Sequence, residues 1–200
     1  MAISADQVKR LRELTGAGMM DCKRALEETG GDVDRAVEVL RLKGLADSKK
    51  RAGRVARDGV VDAYIHMNGR LGVLVEVNCE TDFVANTEGF RSAARDIAMH
   101  IAASDPRWIS REDVPEDVVD GERKIYAEQA REQGKPDNVI DRIVQGKLEA
   151  FFKDTCLLDQ PFVKDDSKTV GELVAETSAK VGEKVEVRRF ARFKLGEEIS

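Results

Sequence analysis

The stretch Val61-Asp62-Ala63-Tyr64-Ile65-His66-Met67-Asn68-Gly69-Arg70-Leu71-Gly72-Val73-Leu74-Val75-Glu76-Val77-Asn78 decides the fold. Val61, Ala63 and Ile65 alternate with Asp62, Tyr64 and His66, and Leu71, Val73, Val75 and Val77 alternate with Gly72, Leu74, Glu76 and Asn78. A period of two is the signature of a half-buried strand. Asn68-Gly69 between the runs predicts a type I′ hairpin, whose two central residues must both take positive φ. A third strand is predicted from Lys184 to Leu195, with Val185, Val187, Ala191 and Phe193 on one side and Arg188, Arg192 and Lys194 on the other. These strands form a small antiparallel sheet with one apolar face, and His66 falls opposite in phase to that face.

Helical spacing surrounds the strands. Phe90, Ala93, Ala94, Ile97, Ala98 and Ile101 share one helix face. A more polar helix covers Val118 to Ala130. Pro136 suits the first turn of the next, which carries Val139, Ile140, Ile143, Val144, Leu148, Phe151 and Phe152. A last short helix runs from about Val170 to Ala179. Helices over a small antiparallel sheet make an α+β layer architecture.

Residues 4–44 read as three further helices. Ser4-Ala5-Asp6-Gln7 is a capping-box pattern, and Val8, Leu11 and Leu14 then recur on one face. Gly16-Ala17-Gly18 breaks that helix. The second carries Met20, Ala25 and Leu26 as candidate buried positions, and Gly30-Gly31 stops it. Asp32 caps the third, with Val33, Ala36, Val37 and Leu40. Such a core is very small, which suits a recognition module. The expected organisation is a three-helix module at 1–45, a basic linker at 46–57 whose first part continues as a solvated helix, and an α+β core at 58–200. Lys49, Lys50, Arg51, Arg54 and Arg57 gather in the linker, either as solubilising charge or as a contact for an acidic surface.

The bulk properties narrow the function classes. The 200 residues carry a formal net charge of −5, which argues against nucleic acid as the main ligand. Cys22, Cys79 and Cys156 are odd in number and form no CxxC, a usage that fits reduced thiols in the cytoplasm. With two histidines, His66 and His100, no metal site is expected, and no cofactor either. The start has no apolar signal core and no run approaches spanning length, so no membrane association is expected.

Beyond the second strand lies Asn78-Cys79-Glu80-Thr81-Asp82-Phe83-Val84-Ala85-Asn86. Thr81 and Asn86 are good helix caps, so a turn is predicted before the Phe90 helix. That turn puts Asp82 and Phe83 side by side at a strand-to-helix corner, a plausible wedge for a partner's pocket. Read alone, Phe83 fits better as a core residue capping the sheet, since phenylalanine is so often buried.

Thr81 through Asn86 resembles the signature of the elongation factor Ts family. Val8-Lys9 with Leu11-Arg12, Thr15-Gly16-Ala17-Gly18-Met19-Met20-Asp21-Cys22-Lys23 and Ala25-Leu26 also resemble it. So do Tyr64-Ile65-His66, Val73 through Asn78, and Phe151 followed by Leu157-Leu158-Asp159-Gln160-Pro161-Phe162-Val163. The likeness follows the family's order over nearly the whole chain. It implies a non-catalytic guanine-nucleotide exchange factor whose partner is elongation factor Tu. Asp82 and Phe83 would then be the wedge that disturbs the magnesium and phosphate site, with Val84 and Asn86 shaping its base and Thr81 and Ala85 completing the partner-binding stretch. Leu11, Arg12, Met19 and Met20 would grip the same partner from the amino-terminal module, although Leu11 also reads as core. His66 is a further candidate contact by the same likeness, although a merely exposed or hydrogen-bonded histidine fits as well. The chain lacks the duplicate half of longer family members, and pairing with a twin subunit is expected to cover what that leaves open, with Val185 to Phe193 as the pairing strand.

Three rivals compete. An enzyme would need Glu76, Glu80 and Asp82 to converge, yet Glu76 is on a strand that the other two lie beyond, and no Gly-x-Ser-x-Gly, Walker-type loop or HExxH is present. An adaptor would use the three-helix module alone, which resembles ubiquitin-associated domains in its Gly-bearing first turn; that likeness speaks to fold only. RNA binding through Lys49 to Arg57, or through Arg188 and Arg192, lacks an aromatic stacking platform.

Overall fold

The computed structural model of the chain describes residues 3–197, without the side chains of Lys49 and Met67; expectations resting on these and on Met1 and Ala2 lie outside the described residues. In chain order the elements are α1 (Ala5–Thr15), α2 (Met19–Glu28), α3 (Val33–Arg51), β1 (Asp58–His66), β2 (Leu71–Cys79), α4 (Asp82–Ala85), α5 (Glu88–Ser104), α6 (Glu116–Glu132), α7 (Asp137–Thr155), β3 (Pro161–Phe162), β4 (Asp165–Thr169), α8 (Val170–Val181) and β5 (Glu186–Lys194). β1, β2 and β5 form a three-stranded sheet in the order β1-β2-β5, and β3 pairs with β4 antiparallel. This is an α+β fold with amino-terminal helices and a small antiparallel sheet covered by helices. None of the described helices is long and apolar enough to cross a membrane.

The chain divides into two compact units, each built from several segments. One comprises Met1–Asp62, Val75–Arg95 and Glu172–Arg188; the other comprises Ala63–Leu74, Asp96–Gly171 and Arg189–Ser200.

In the first unit, the capping box at Ser4 and Gln7 opens α1, and Val8, Leu11, Cys22, Ala25, Leu26, Ala36 and Leu40 close the three-helix core. Gly16 ends α1 in the left-handed conformation, at φ 67°, where a side chain would be strained. Leu14, expected in the apolar stripe, and Met20, expected among the buried positions of α2, are exposed instead, because the inward face of α2 is Cys22, Ala25 and Leu26. α3 continues unbroken through residues 46–51, the first part of the expected linker, because nothing before Gly53 interrupts helical geometry. It lies against α8: Arg41 pairs with Glu172, Arg51 donates to Ser178 Oγ, and a Cβ on Gly44 would stand 3.4 Å from Ala179 Cβ. Val75, Val77, Cys79, Phe90, Ala94, Val185 and Val187 are buried in the same unit.

The second unit contains the hairpin tip. Asn68 (φ 54°) and Gly69 (φ 87°) both take positive φ, as a type I′ turn requires. Ile97, Ala98, Ile101 and Leu157 are buried here, while α6 and α7 close on Ala130, Ile140, Val144 and Leu148.

The sheet faces differ from the simple alternation in two places. Leu71, Val73, Val75 and Val77 do point inward, but Val61, Ala63 and Ile65 face outward and are exposed. A Cβ on Gly72 would meet Ile65 Cδ1 at 3.2 Å, so Ile65 shares the outer face with Gly72 and Leu74. On β5 the phase slips by one residue at Arg188-Arg189, both exposed, so Val185 and Val187 are buried while Phe193 is 70% exposed. The Arg192 side chain, 11% exposed, turns inward instead and pairs with Asp105 and Glu197.

Candidate functional site

The corner is built by local chemistry at the end of β2. Backbone pairing stops at Cys79, and Thr81 takes an extended conformation (φ −134°, ψ 154°) from which its hydroxyl oxygen caps α4 by accepting from Val84 N–H. Asn86 closes the four-residue helix by donating through Nδ2 to Asp82 O at 2.9 Å. Arg91 holds that end from behind, with Nε donating to Ala85 O and Nη2 to Asn86 Oδ1 at 2.7 Å. Ala85 is buried and forms the inner side of the turn. Asp82 and Phe83 therefore project outward. The Phe83 side chain is 83% exposed, so the reading of Phe83 as a core residue does not hold.

The base of the corner is crossed by carboxylates that sequence reasoning missed. Glu183 accepts from Glu80 N–H and Thr81 N–H, both at 3.0 Å, and from the Thr81 hydroxyl at 2.6 Å. In return Glu80 Oε1 accepts from Lys184 N–H at 2.6 Å and from Arg54 at 3.2 Å. The Lys184 N–H, chiefly, holds the Glu80 carboxyl below its ordinary value. Only the helix-cap preference of Thr81 hinted at this arrangement, because Glu183 sits 102 residues further along the chain. Cys79 lies beneath, donating Sγ–H to Thr81 O, and burial followed by the Glu183 charge pushes its thiol up to about 11. That thiol is neutral and unreactive at physiological pH.

Glu80 is thus committed to structural bonds, which removes one member of the Glu76, Glu80 and Asp82 set considered for catalysis. Much of the basic segment is committed likewise: Lys50 pairs with Asp47, Arg51 with Ser178, and Arg54 with Glu80. Among the described residues, no group of three or more His, Cys, Asp or Glu side chains could hold a metal ion.

The amino-terminal candidates separate into two kinds. Met19 and Met20 are exposed at the start of α2, Arg12 is exposed on α1, and Leu14 joins them beside the Gly16-Ala17-Gly18 turn. Leu11 is corrected: its exposure is 0%, because the spacing that marked it as a contact is the spacing of the inward stripe. In the second unit, His66 is exposed on β1, with its ring stacked on Tyr64 and Nδ1 3.0 Å from the Tyr64 hydroxyl.

A class follows from this combination: an α+β protein with an amino-terminal helical module and a braced corner that presents an exposed apolar ring beside a carboxylate. Comparison with known proteins is more specific. The family described as Elongation factor TS matches residues 5–197. Elongation factor Ts of Carboxydothermus hydrogenoformans is 60% identical over 195 residues, covering 98% of this chain and 90% of that protein. Elongation factor Ts of a Thermoanaerobacter species is 59% identical over 98% of this chain and 97% of its own length, and that of Geotalea uraniireducens is 56% identical over 98% and 91%. The chain belongs to the elongation factor Ts family of translation elongation factors.

Proposed function

We propose that this chain binds elongation factor Tu and drives release of its GDP, with Asp82 and Phe83 as the pair that enters the partner's nucleotide-binding domain. The observation that carries this reading is an almost fully exposed phenylalanine on a corner whose backbone is braced at both ends. Burying such a ring in a partner contributes about 1.5–3 kcal/mol before association costs. A shape already fixed in the free protein keeps those costs low. The bound magnesium offsets much of the diphosphate charge, so shifting the groups that support it weakens nucleotide binding. Linkage then requires that GDP weaken binding of the factor equally, and GTP binding completes the cycle without covalent chemistry by this chain.

Within that scheme residues 1–45 serve as a gripping module through Arg12, Met19 and Met20, residues 46–57 link it to the core at 58–200, and His66 offers a secondary contact. The outer sheet face of the second unit, with Ile65, Leu74, Phe193 and Leu195 exposed, supports pairing of two copies, because an uncovered apolar surface of this kind marks an interface. The site of action is the cytoplasm, where translation occurs, and neither nucleic acid nor membrane is a specific partner.

Release of labelled GDP from elongation factor Tu, measured with and without this chain, tests the proposal. Acceleration at substoichiometric chain supports it, and an unchanged release rate at saturating chain refutes it.

A further inference from the structure

Glu183 lies outside the corner, yet its one carboxylate binds the corner three times. Oε2 takes Glu80 N–H and Thr81 N–H, the two donors stranded where β2 stops pairing, and Oε1 takes the Thr81 hydroxyl. Because that hydroxyl donates to Glu183, its lone pairs are free for Val84 N–H, so the same oxygen relays the anchoring into the first turn of α4. The tie is reciprocal. Glu80 Oε1 accepts from Lys184 N–H, so residues 80–81 and 183–184 exchange carboxylates crosswise, each bound to the other's backbone. Bonds to ionised acceptors are the strong kind, and a crossed pair resists rotation better than a single bond does.

We infer that Glu183 is a positioning residue for exchange: its carboxylate sets the direction in which α4 leaves the strand, and hence where Asp82 and Phe83 point. It touches neither the partner nor the nucleotide. This inference rests on the proposed wedge. It requires that loss of the carboxylate slow nucleotide release inside the complex while leaving the docking surface of the amino-terminal module untouched.

The test measures GDP release from elongation factor Tu across a concentration series of the full chain, giving a maximal rate and a half-saturating concentration for each variant. Glu183→Gln keeps the size but gives up one acceptor oxygen; its maximal rate is expected to fall about tenfold, with the half-saturating concentration within about twofold of wild type. Thr81→Val should do the same by breaking the relay, Thr81→Ser should restore it, and the Glu183→Gln/Thr81→Val double variant should be no slower than the slower single variant. A wild-type maximal rate for folded Glu183→Gln overturns the inference, as does an effect confined to the half-saturating concentration. Should Glu183→Gln fail to fold, Thr81→Val against Thr81→Ser decides, and equal maximal rates for those two overturn it. Phe83→Ala is run alongside. If it exchanges like wild type, the wedge reading itself is lost; if it is slow while Glu183→Gln is normal, only the role of Glu183 is lost.

Discussion

His100 and Gln160 are joined in the interior of the second unit, with His100 Nε2 2.9 Å from Gln160 Oε1. The other ring nitrogen, Nδ1, accepts from Val163 N–H, which places the single proton on Nε2 as a donor to Gln160. Gln160 passes the tie on, donating through Nε2 to the carbonyls of Ser104 and Asp154. Burial, which penalises the charged ring, holds the imidazole pKa below its ordinary value against the opposing pull of the Gln160 bond.

The sign of the pH dependence follows. Between the depressed native pKa and about 6.5 the unfolded chain binds a proton that the native chain does not, so stability falls as pH drops through that interval. One such group gives a slope of up to about 1.4 kcal/mol per pH unit. Urea denaturation from pH 8 to 5 should show this slope in the wild type and a shallower one in His100→Gln. Equal slopes would remove His100 as the cause.

Gly59 makes a sharper demand on packing. Its φ is 145°, and a Cβ there would lie 2.2 Å from Val77 O and 2.7 Å from Asn78 Cα, which are backbone atoms that cannot swing aside. Gly59→Ala should cost at least ~2 kcal/mol in a denaturation experiment, combining backbone strain with the clash. A loss below about 0.5 kcal/mol would mean the strands separate there at no cost.

How much of this was legible in the chain depends on how far the deciding interaction reaches. The Asn68-Gly69 turn and the Ser4-Gln7 box were readable because their bonds close within a few residues. The period of each strand was readable too, but not which phase is covered: Leu74 and Ile65 are as apolar as Val73, and only the docking of helices decides between them. β5 misled further, because a one-residue slip at Arg188-Arg189 exchanges Phe193 and Arg192 between faces without any change in composition. At the corner, the caps Thr81 and Asn86 announced a turn. Glu183 was silent, since a glutamate 102 residues distant carries no local mark of the backbone it binds.

Phe83 offers a clean separation of stability from activity. Its ring makes little internal contact, so Phe83→Ala should shift unfolding free energy by no more than ~0.5 kcal/mol. GDP release from elongation factor Tu should slow at least tenfold or so in the same variant, the equivalent of losing roughly 1.4 kcal/mol of transition-state stabilisation. Unfolding of Phe83→Ala at room temperature would show that the ring holds the fold and would end its assignment as a wedge.

Met19 and Met20 address affinity instead. Flexible thioether side chains conform to a partner surface, and both are exposed in the first turn of a helix whose inward residues are Cys22, Ala25 and Leu26. The Met19→Ser/Met20→Ser variant should raise the half-saturating concentration in the exchange assay several-fold, on the order of 1 kcal/mol, while the maximal rate stays near wild type. Unchanged activity at limiting concentrations would show that the partner does not rest on these residues.

Phe193 tests the pairing of copies, and the physics gives the direction. A carboxylate on an exposed surface costs the lone chain little, whereas the same carboxylate trapped between two apolar faces costs several kcal/mol. Phe193→Glu should therefore leave the denaturation midpoint of the monomer almost unchanged and shift the mass by light scattering at micromolar concentration from twice the chain mass to once. Substituting Leu14, which is also exposed but belongs to the other unit, should leave the mass where it was. A wild-type chain that is already monomeric at that concentration would end the proposed pairing of copies.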